Sequence, residues 1–231
     1  MPKDSCKTNR FRPQISLRTL MIVVTLLAMF LGLYVSRAQR QQQALAGLNA
    51  AMVIWDFQCP GGDLADWDPA APPPYPEWLR TLCGDEFFGT VRGLIGARIT
   101  DDDSLSHLAA LTGIETLNLA GSPINVDAMR VIARLPKLRT LNLDMTRVDD
   151  EGLVHLARAR DLEELSLNHT SVTAKGLFAL KSLPRLRHLQ LEGVAISKAS
   201  LRRLRQTLPD CEIWGPAGSP QEGAELQRRR R

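Results

Sequence analysis

The side chains best suited to chemistry in this chain are its four cysteines and four histidines. Thiolates and imidazoles bind zinc or act in catalysis only when the chain brings them together. Here there is no C-x-x-C pair, and no histidine lies at ligand spacing from a cysteine. No G-x-S-x-G, H-E-x-x-H or phosphate-loop motif occurs either. We therefore predict a non-enzyme with no metal, no cofactor and no small-molecule substrate.

An acidic run at Asp101–Asp103 raises the alternative of a calcium site. The run directly precedes the apolar Leu105, just as Asp149–Glu151 precede Leu153. Carboxylates at a helix N-terminus accept backbone N–H groups and interact favourably with the helix dipole. We therefore expect helix capping at both places instead of cation binding.

Charge is distributed unevenly along the chain. Residues 1–40 carry seven Lys and Arg against Asp4, whereas residues 56–103 carry ten acids against three arginines. The net charge of +4 therefore hides a basic N-terminal segment and an acidic middle. No basic groove with interleaved aromatic residues appears, so the sequence predicts no nucleic-acid binding.

The chain repeats itself every 24 residues, starting at Ile114, Leu138, Leu162 and Leu186. Each unit contains Leu-x-Leu, which alternates as in a strand with one buried face, followed by apolar residues at helical spacing. A divergent first unit begins at Val91, and LPDCEIW near the end predicts a closing strand. One unit alone cannot bury both apolar sets, so stacked units are expected to share a continuous core.

These units resemble the leucine-rich-repeat family, in particular the 24-residue subclass with Thr or Cys after Leu-x-Leu and a segment such as VTAKGLFAL. The resemblance covers residues 91–214. It implies an α/β fold, a short horseshoe solenoid with parallel strands on the concave face and helices on the convex face. It also implies a scaffold for protein binding. The layout is similar to that of short bacterial leucine-rich-repeat proteins with an N-terminal anchor.

The residues that alternate with the buried leucines are the predicted protein-binding site. They form rows across the strands, and a merely solvated sheet face is the alternative, since the predicted rows lack the Trp, Tyr and Arg that anchor interfaces. The partner is an unknown protein. The predicted site residues are Thr116, Asn118, Thr140, Asn142, Asp144, Glu164, Ser166, Asn168, His188, Gln190 and Glu192.

A membrane span is predicted for residues 15–36, because Thr19–Val35 contains no charged residue. More cations precede this span than follow it, which places the basic tail 1–14 in the cytoplasm and the repeats outside it, in the periplasm or on the cell surface. A cleaved signal peptide is the alternative. The long apolar stretch and the arginines that follow it favour a signal anchor that stays in place.

The remaining segments receive more general predictions. Residues 37–54 are expected to continue the anchor as a juxtamembrane helix, with Met52 on its apolar stripe. Residues 55–90 hold seven of the twelve aromatic residues and are expected to cap the open end of the solenoid, with an aromatic ligand pocket as the alternative. Cys59 and Cys83 are a candidate disulfide. The polar tail 215–231 is expected to be disordered.

The sequence thus predicts a membrane-anchored, non-catalytic protein-interaction module of the cell envelope. Its main alternative is a structural or self-associating envelope spacer. A secreted binding protein would result if the N-terminal segment were cleaved.

Overall fold

The computed structural model describes residues 16–48, 50–59, 67–74, 76–78, 81, 89–99 and 101–215. The chain divides into two compact units, Met1–Arg37 and Ala38–Arg231. The predicted tails, at 1–14 and after 215, fall outside the described residues.

Helix α1 begins at Leu17 and ends at Leu48. The Ser16 hydroxyl accepts the Thr19 N–H at 3.2 Å, which satisfies one of the open donors of the first turn. The best 18-residue window of α1 has a mean hydropathy of 2.3, and none of it is buried. The helix therefore has the length and composition of a membrane span, which a signal sequence near the N-terminus shares.

The second unit alternates strands and helices. The strands are β1 Met52–Trp55, β2 Val91–Ile95, β3 Thr116–Asn118, β4 Thr140–Asn142, β5 Glu164–Ser166, β6 His188–Gln190 and β7 Glu212–Trp214. The helices are α2 Asp102–Ala110, α3 Val126–Ile132, α4 Asp150–Leu156, α5 Ala174–Leu177 and α6 Lys198–Thr207, with 3-10 segments at Asp56–Gln58 and Phe178–Ser182.

The seven strands form one sheet in sequence order. Strands β2 to β7 are parallel, and from β3 onward each pairs with the next in a register of one 24-residue repeat, as Leu117 with Leu141 shows. The predicted closing strand is β7. Strand β1, which the sequence did not predict, pairs antiparallel with β2. Met52 therefore begins a strand and does not lie on a helix, because α1 has already ended at Leu48.

The leucines of the repeat pattern form the core between the sheet and the helices. Leu141 and Leu143 from the strand side and Leu153 and Leu156 from α4 are each at most 1% exposed. The same hydrophobic cluster includes Ala44 and Leu48 from the end of α1 and continues to Ile213 in β7. Burying a leucine side chain contributes roughly 1.5–3 kcal/mol, so this stack is the main source of stability.

Side chains at the helix N-termini confirm the capping interpretation of the acidic runs. The Asp101 carboxylate accepts Ser104 N–H at 2.8 Å and its hydroxyl at 2.6 Å, and Asp149 accepts Gly152 N–H at 3.0 Å. The hydrogen bonds from Ser104 lower the pKa of Asp101. In the described part of the chain, no group of three or more His, Cys, Asp or Glu side chains is arranged to hold a metal ion.

The aromatic segment is described only in part. The rings of Trp55 and Phe57 stack with centroids 6.2 Å apart, and Trp55 packs against the core. Tyr75, Cys83 and the pair at 87–88 lie outside the described residues. The capping role of residues 55–90 and the disulfide between Cys59 and Cys83 therefore stay predictions.

Candidate functional site

The predicted polar rows are laterally aligned across the sheet. Because side chains alternate along a strand, the residues on either side of Leu117 and its equivalents point away from the core. The strand register joins Thr116, Thr140, Glu164 and His188 in a first row, and Asn118, Asn142, Ser166 and Gln190 in a second. A third row, Asp144, Asn168 and Glu192, follows the strands, where hydrogen bonds such as Met145 N to Asn168 O (2.8 Å) continue the pairing.

The middle of these rows is a closed hydrogen-bond cluster centred on Asp144. Its carboxylate accepts the Ser166 hydroxyl at 2.6 Å, the Asn168 N–H at 2.8 Å and the Asn168 side-chain amide at 3.3 Å. The amide nitrogen of Asn168 also donates to Gln190 Oε1 at 3.1 Å, and its Oδ1 accepts Glu192 N–H at 2.7 Å. We call Asp144, Ser166 and Asn168 the inner cluster.

The asparagines of the second row also serve the backbone. Asn118 Oδ1 accepts Ala120 N–H at 3.0 Å, and Asn142 Oδ1 accepts Asp144 N–H at 2.8 Å. Each bond closes a local turn just after a strand, which is a common use of this side chain. Five of the eleven predicted binding residues are thus bonded to the backbone or to one another: Asn118, Asn142, Asp144, Ser166 and Asn168.

The C-terminal side of the face is different, because its side chains reach solvent. Glu164, His188, Gln190 and Glu192 are exposed, whereas Ser166 is buried and Asn142 is intermediate. Glu164 Oε2 accepts only a long hydrogen bond from the Thr140 hydroxyl, at 3.5 Å. The carboxylates of Glu164 and Glu192 are therefore available to a partner, whereas Gln190 Oε1 accepts hydrogen bonds from Ser166 at 3.2 Å and Asn168 at 3.1 Å.

Two residues of this face were missed by the sequence prediction. Strand β7 pairs His188 with Glu212 and Gln190 with Trp214, so both rows continue for one more strand. Trp214 is 45% exposed, and Glu212 Oε2 lies 3.5 Å from His188 Nδ1. Adding one 24-residue period to the rows of the preceding repeat would have placed both residues.

The turns after the strands share a left-handed backbone position, which is occupied by Gly121, Met145, His169 and Gly193 in successive repeats with φ between 55° and 73°. The next residue closes the turn where it has a hydroxyl: Thr146 and Thr170 each donate to a leucine carbonyl at 2.7 Å.

Two repeats depart from this pattern. The Ser122 hydroxyl donates to Ala97 O of the preceding repeat instead, at 3.0 Å. Val194 has no hydroxyl, and its backbone N–H alone bonds Leu191 O at 3.3 Å. A valine side chain cannot donate the bond that Thr146 and Thr170 make.

Ion pairs between neighbouring repeats lie beside the rows. Arg92 pairs with Glu115, Arg139 Nη1 lies 3.8 Å from Glu163 Oε1, and Arg185 Nη1 lies 2.7 Å from Asp161 Oδ1. Each pair joins consecutive repeats; Arg92 lies in β2, and the other five residues precede their strands. Such pairs contribute modestly, about 0–1 kcal/mol when exposed, and they are consistent with a structural role.

The sequence comparison identifies the repeats. Residues 134–157, which include β4 and α4, match the family described as Leucine Rich repeat. These residues therefore form one leucine-rich repeat, which confirms the resemblance to the family at this place in the chain, whereas the 24-residue subclass stays a prediction. No curated protein matches the whole sequence at a significant level.

Solved structures with similar folds include leucine-rich-repeat proteins from two bacteria. An internalin from Listeria monocytogenes is 24% identical with a TM-score of 0.43, covering 53% of this chain and 33% of its own. A leucine-rich-repeat protein from Leptospira interrogans is 20% identical with a TM-score of 0.34, covering 46% of this chain and 32% of its own. The chain thus spans about a third of each of these two proteins.

A third similar structure is the actin-binding site 2 of leiomodin-1. It is 16% identical with a TM-score of 0.45, covering 57% of this chain and 95% of its own.

Proposed function

We propose that this leucine-rich-repeat chain is a membrane-anchored, non-catalytic protein-interaction module. In this proposal residues 15–36 stay in the membrane and the repeats form a short horseshoe outside the cytoplasm. The strands line its concave face and bind a partner protein. The observation that carries the proposal is the continuous set of polar rows that runs in register from β3 to β7.

The size of this face suits a small contact with a protein. The five strands from β3 to β7, about 4.8 Å apart and three residues long, give polar rows that cover roughly 200 Å². One side of a standard protein interface buries roughly 800 Å², so a partner held at that strength must also contact residues beside the rows. Proteins of this family are typically interaction scaffolds without catalytic activity, which favours this role over an enzymatic one.

The anchor is supported by the exposed apolar surface of α1. Its described residues up to Leu33 are exposed, including Leu20, Ile22, Leu27 and Phe30 at 50% or more. So much contiguous apolar surface is unfavourable in water and fits a lipid environment. A cleaved signal sequence would make the same chain a secreted binder, and a spacer would need no partner at all.

Site-specific photocrosslinking in intact cells tests the binding face. A photoreactive phenylalanine analogue is placed at His188 or Glu192 on the face, and at the exposed Val154 in α4 or the exposed Arg158 just after α4 as matched controls. We expect adducts with a different protein from the face positions and few from the controls. Equal capture from both sets would refute the concave assignment. Adducts only between copies of the chain would favour the self-associating spacer.

Thiol labelling tests the topology. In cells whose outer barrier is opened, an impermeant maleimide should label a Ser219→Cys variant but not Cys6 until the inner membrane is lysed. The reverse pattern would place the repeats in the cytoplasm. A mature chain that starts near Gln39 and needs no detergent for solubility would show that the N-terminal segment is a signal peptide.

A further inference from the structure

Three exposed carboxylates and one exposed indole lie close together at the C-terminal end of the sheet. Glu164 on β5 and Glu212 on β7 flank His188 in the first row. Trp214 lies on β7 in the second row, and Glu192 follows β6 in the third. We call Glu164, Glu192, Glu212 and Trp214 the acidic patch.

The spacing of the patch suits a short stretch of polypeptide. Neighbouring strands are about 4.8 Å apart, so the backbones of Glu164 and Glu212 are separated by roughly 10 Å. Alternate residues of one strand are roughly 7 Å apart, which places Trp214 beside Glu212 on the same face. Two or three residues of a bound segment would therefore contact the whole patch.

The negative charge of the patch is not compensated within the described part of the chain. Glu164 and Glu192 make no ion pair there, and Glu212 has only His188, which is cationic only when protonated. Arg139 and Arg187 each precede a strand by one residue, and Arg139 lies opposite Glu163. The inner-cluster carboxylate of Asp144, by contrast, already accepts three hydrogen bonds.

Trp214 adds an apolar surface with a preference for cations. Its side chain is 45% exposed, although tryptophan is a residue that folded proteins usually bury for the most part. The face of an indole attracts guanidinium and ammonium groups, and exposed tryptophans are frequent anchors of protein interfaces. Carboxylates around an indole therefore favour a positively charged ligand over an anionic or a purely apolar one.

We propose that the acidic patch binds an arginine- or lysine-bearing segment of the partner protein. A cationic side chain of that segment lies on the Trp214 ring, and its neighbours pair with Glu164, Glu192 and Glu212. This inference rests on the proposed binding function and specifies the chemistry of the partner. It also limits the energetically important contacts to β5–β7, whereas the inner cluster serves to hold the strands in place.

The test measures binding of a fluorescein-labelled peptide of four Arg-Gly repeats to the full chain in an uncharged detergent, by fluorescence anisotropy. A peptide with Glu in place of Arg is the negative probe. We expect the Arg peptide to bind and the Glu peptide not to bind. Affinity for the Arg peptide should fall as salt is raised, because the attraction is largely electrostatic and partly exposed.

Two sets of variants locate the binding site. Combining Glu164→Gln, Glu192→Gln and Glu212→Gln should weaken Arg-peptide binding by about tenfold, which is about 1.4 kcal/mol in total or about 0.5 kcal/mol for each exposed pair. Trp214→Leu keeps an apolar side chain but removes the aromatic ring, and we expect a weakening of about fivefold. The matched control combines Asp103→Asn, Asp127→Asn and Glu151→Gln, which remove the same charge from exposed positions on the helices.

Several results would overturn the inference. Equal weakening by the control variant would show a non-specific charge effect, and an unchanged affinity in the Gln variant would exclude the patch. Changing arginines 228–231 to glutamine tests the chain's own C-terminus as the occupant. We expect at most about a twofold change, whereas a tenfold gain would assign the patch to that segment.

Photocrosslinking from His188 keeps this inference separate from the proposed function. If a partner is captured there but capture is insensitive to the three Gln changes, only the chemistry inferred for the patch fails. If no partner is captured from the face at all, the binding function itself fails.

Discussion

The inner cluster and the acidic patch are built on the same repeats, yet their polar groups are used in opposite ways. In the inner cluster, Asp144, Ser166 and Asn168 bond to one another and to the backbone. In the patch, Glu164 and Glu192 point into solvent. A regular strand register therefore produces polar rows whether or not the rows bind a partner. A row can bind a partner only where its polar groups are not already hydrogen-bonded to neighbouring strands.

Side-chain length explains much of this difference. The oxygens of Asp, Ser and Asn stay within about two or three bonds of Cα, close enough to reach the next strand at about 4.8 Å. Glu and Trp side chains are longer and extend farther from the sheet than the short polar side chains do. The short residues of β4 and β5 therefore stabilise the sheet, whereas the long residues of β5 to β7 form an accessible surface.

The largest effect on stability is expected in the layer of buried leucines that lies under both regions. Leu165 and Leu189 are neighbours in this layer and are at most 2% exposed. Leu165→Ala should lower the free energy of unfolding by about 2–5 kcal/mol, because it removes buried methyl groups and leaves a cavity. Urea unfolding followed by circular dichroism measures this. A loss below about 1 kcal/mol would contradict the tightly packed core on which both regions are placed.

A smaller effect should separate the two regions directly. Asp144→Ala removes an acceptor of three hydrogen bonds and should cost about 1–3 kcal/mol. Glu192→Ala, two repeats later in the same row, should change stability by less than about 0.5 kcal/mol. The same urea titration compares them. If both variants lose equal stability, the division of the face into a bonded cluster and an available patch is wrong.

The sequence was sufficient to predict the features that depend on periodicity. The 24-residue spacing predicted the strands β3 to β7, the buried leucines and the rows, because strand alternation fixes which residues share a face. The acidic runs predicted helix capping at Asp101 and Asp149, since that interaction is local. The segment LPDCEIW predicted β7, but it did not by itself indicate that Trp214 is exposed.

Contacts between distant or neighbouring strands were not predictable in the same way. Pairing of β1 with β2 joins Ile54 to Gly93 across a long intervening segment that carries no repeat. Whether Asp144 bonds to Ser166 or faces solvent depends on side-chain geometry across two repeats, which residue types alone do not determine. The candidate site was therefore predicted as a surface, but its division into two regions required the structure.

On the helix side, Asp150 provides a further bond between repeats whose strength should depend on pH. Its carboxylate accepts Thr173 N–H at 2.7 Å and the Thr173 hydroxyl at 2.6 Å. Partial burial raises the pKa of Asp150, but the hydrogen bonds from Thr173 and Gly176 outweigh this and hold the pKa below its ordinary value. Since the unfolded pKa is about 3.9, this stabilisation is fully present above that pH and is lost as the pH falls through the folded pKa.

We therefore expect Asp150→Asn to lower the free energy of unfolding by about 0.5–1 kcal/mol at pH 7, less than Asp144→Ala. The difference between wild type and variant should shrink below about pH 4, where the wild-type carboxylate also becomes neutral. Urea titrations at pH 7, 5 and 3.5 measure it. A constant difference across these pH values would show that the charge of Asp150 is unimportant. Glu151→Gln, an exposed neighbour in the same helix turn, is the control.

The smallest expected effect concerns the turns, where the two regions also differ. The turn next to the inner cluster has Met145 in the left-handed conformation, with φ of 55°, whereas the turn next to the patch has Gly193 there. A side chain in that conformation costs about 1–2 kcal/mol, and the greater freedom of glycine in the unfolded chain offsets about 0.5–1 kcal/mol of the relief. Met145→Gly should therefore be more stable than Met145→Ala by about 0.5–1 kcal/mol.

Val154, an exposed residue inside α4, is the control for this prediction. There the order should reverse, with alanine favoured over glycine by about 1 kcal/mol. Thermal unfolding of the four variants measures both differences, and the same order at both positions would refute a conformational requirement in the turn.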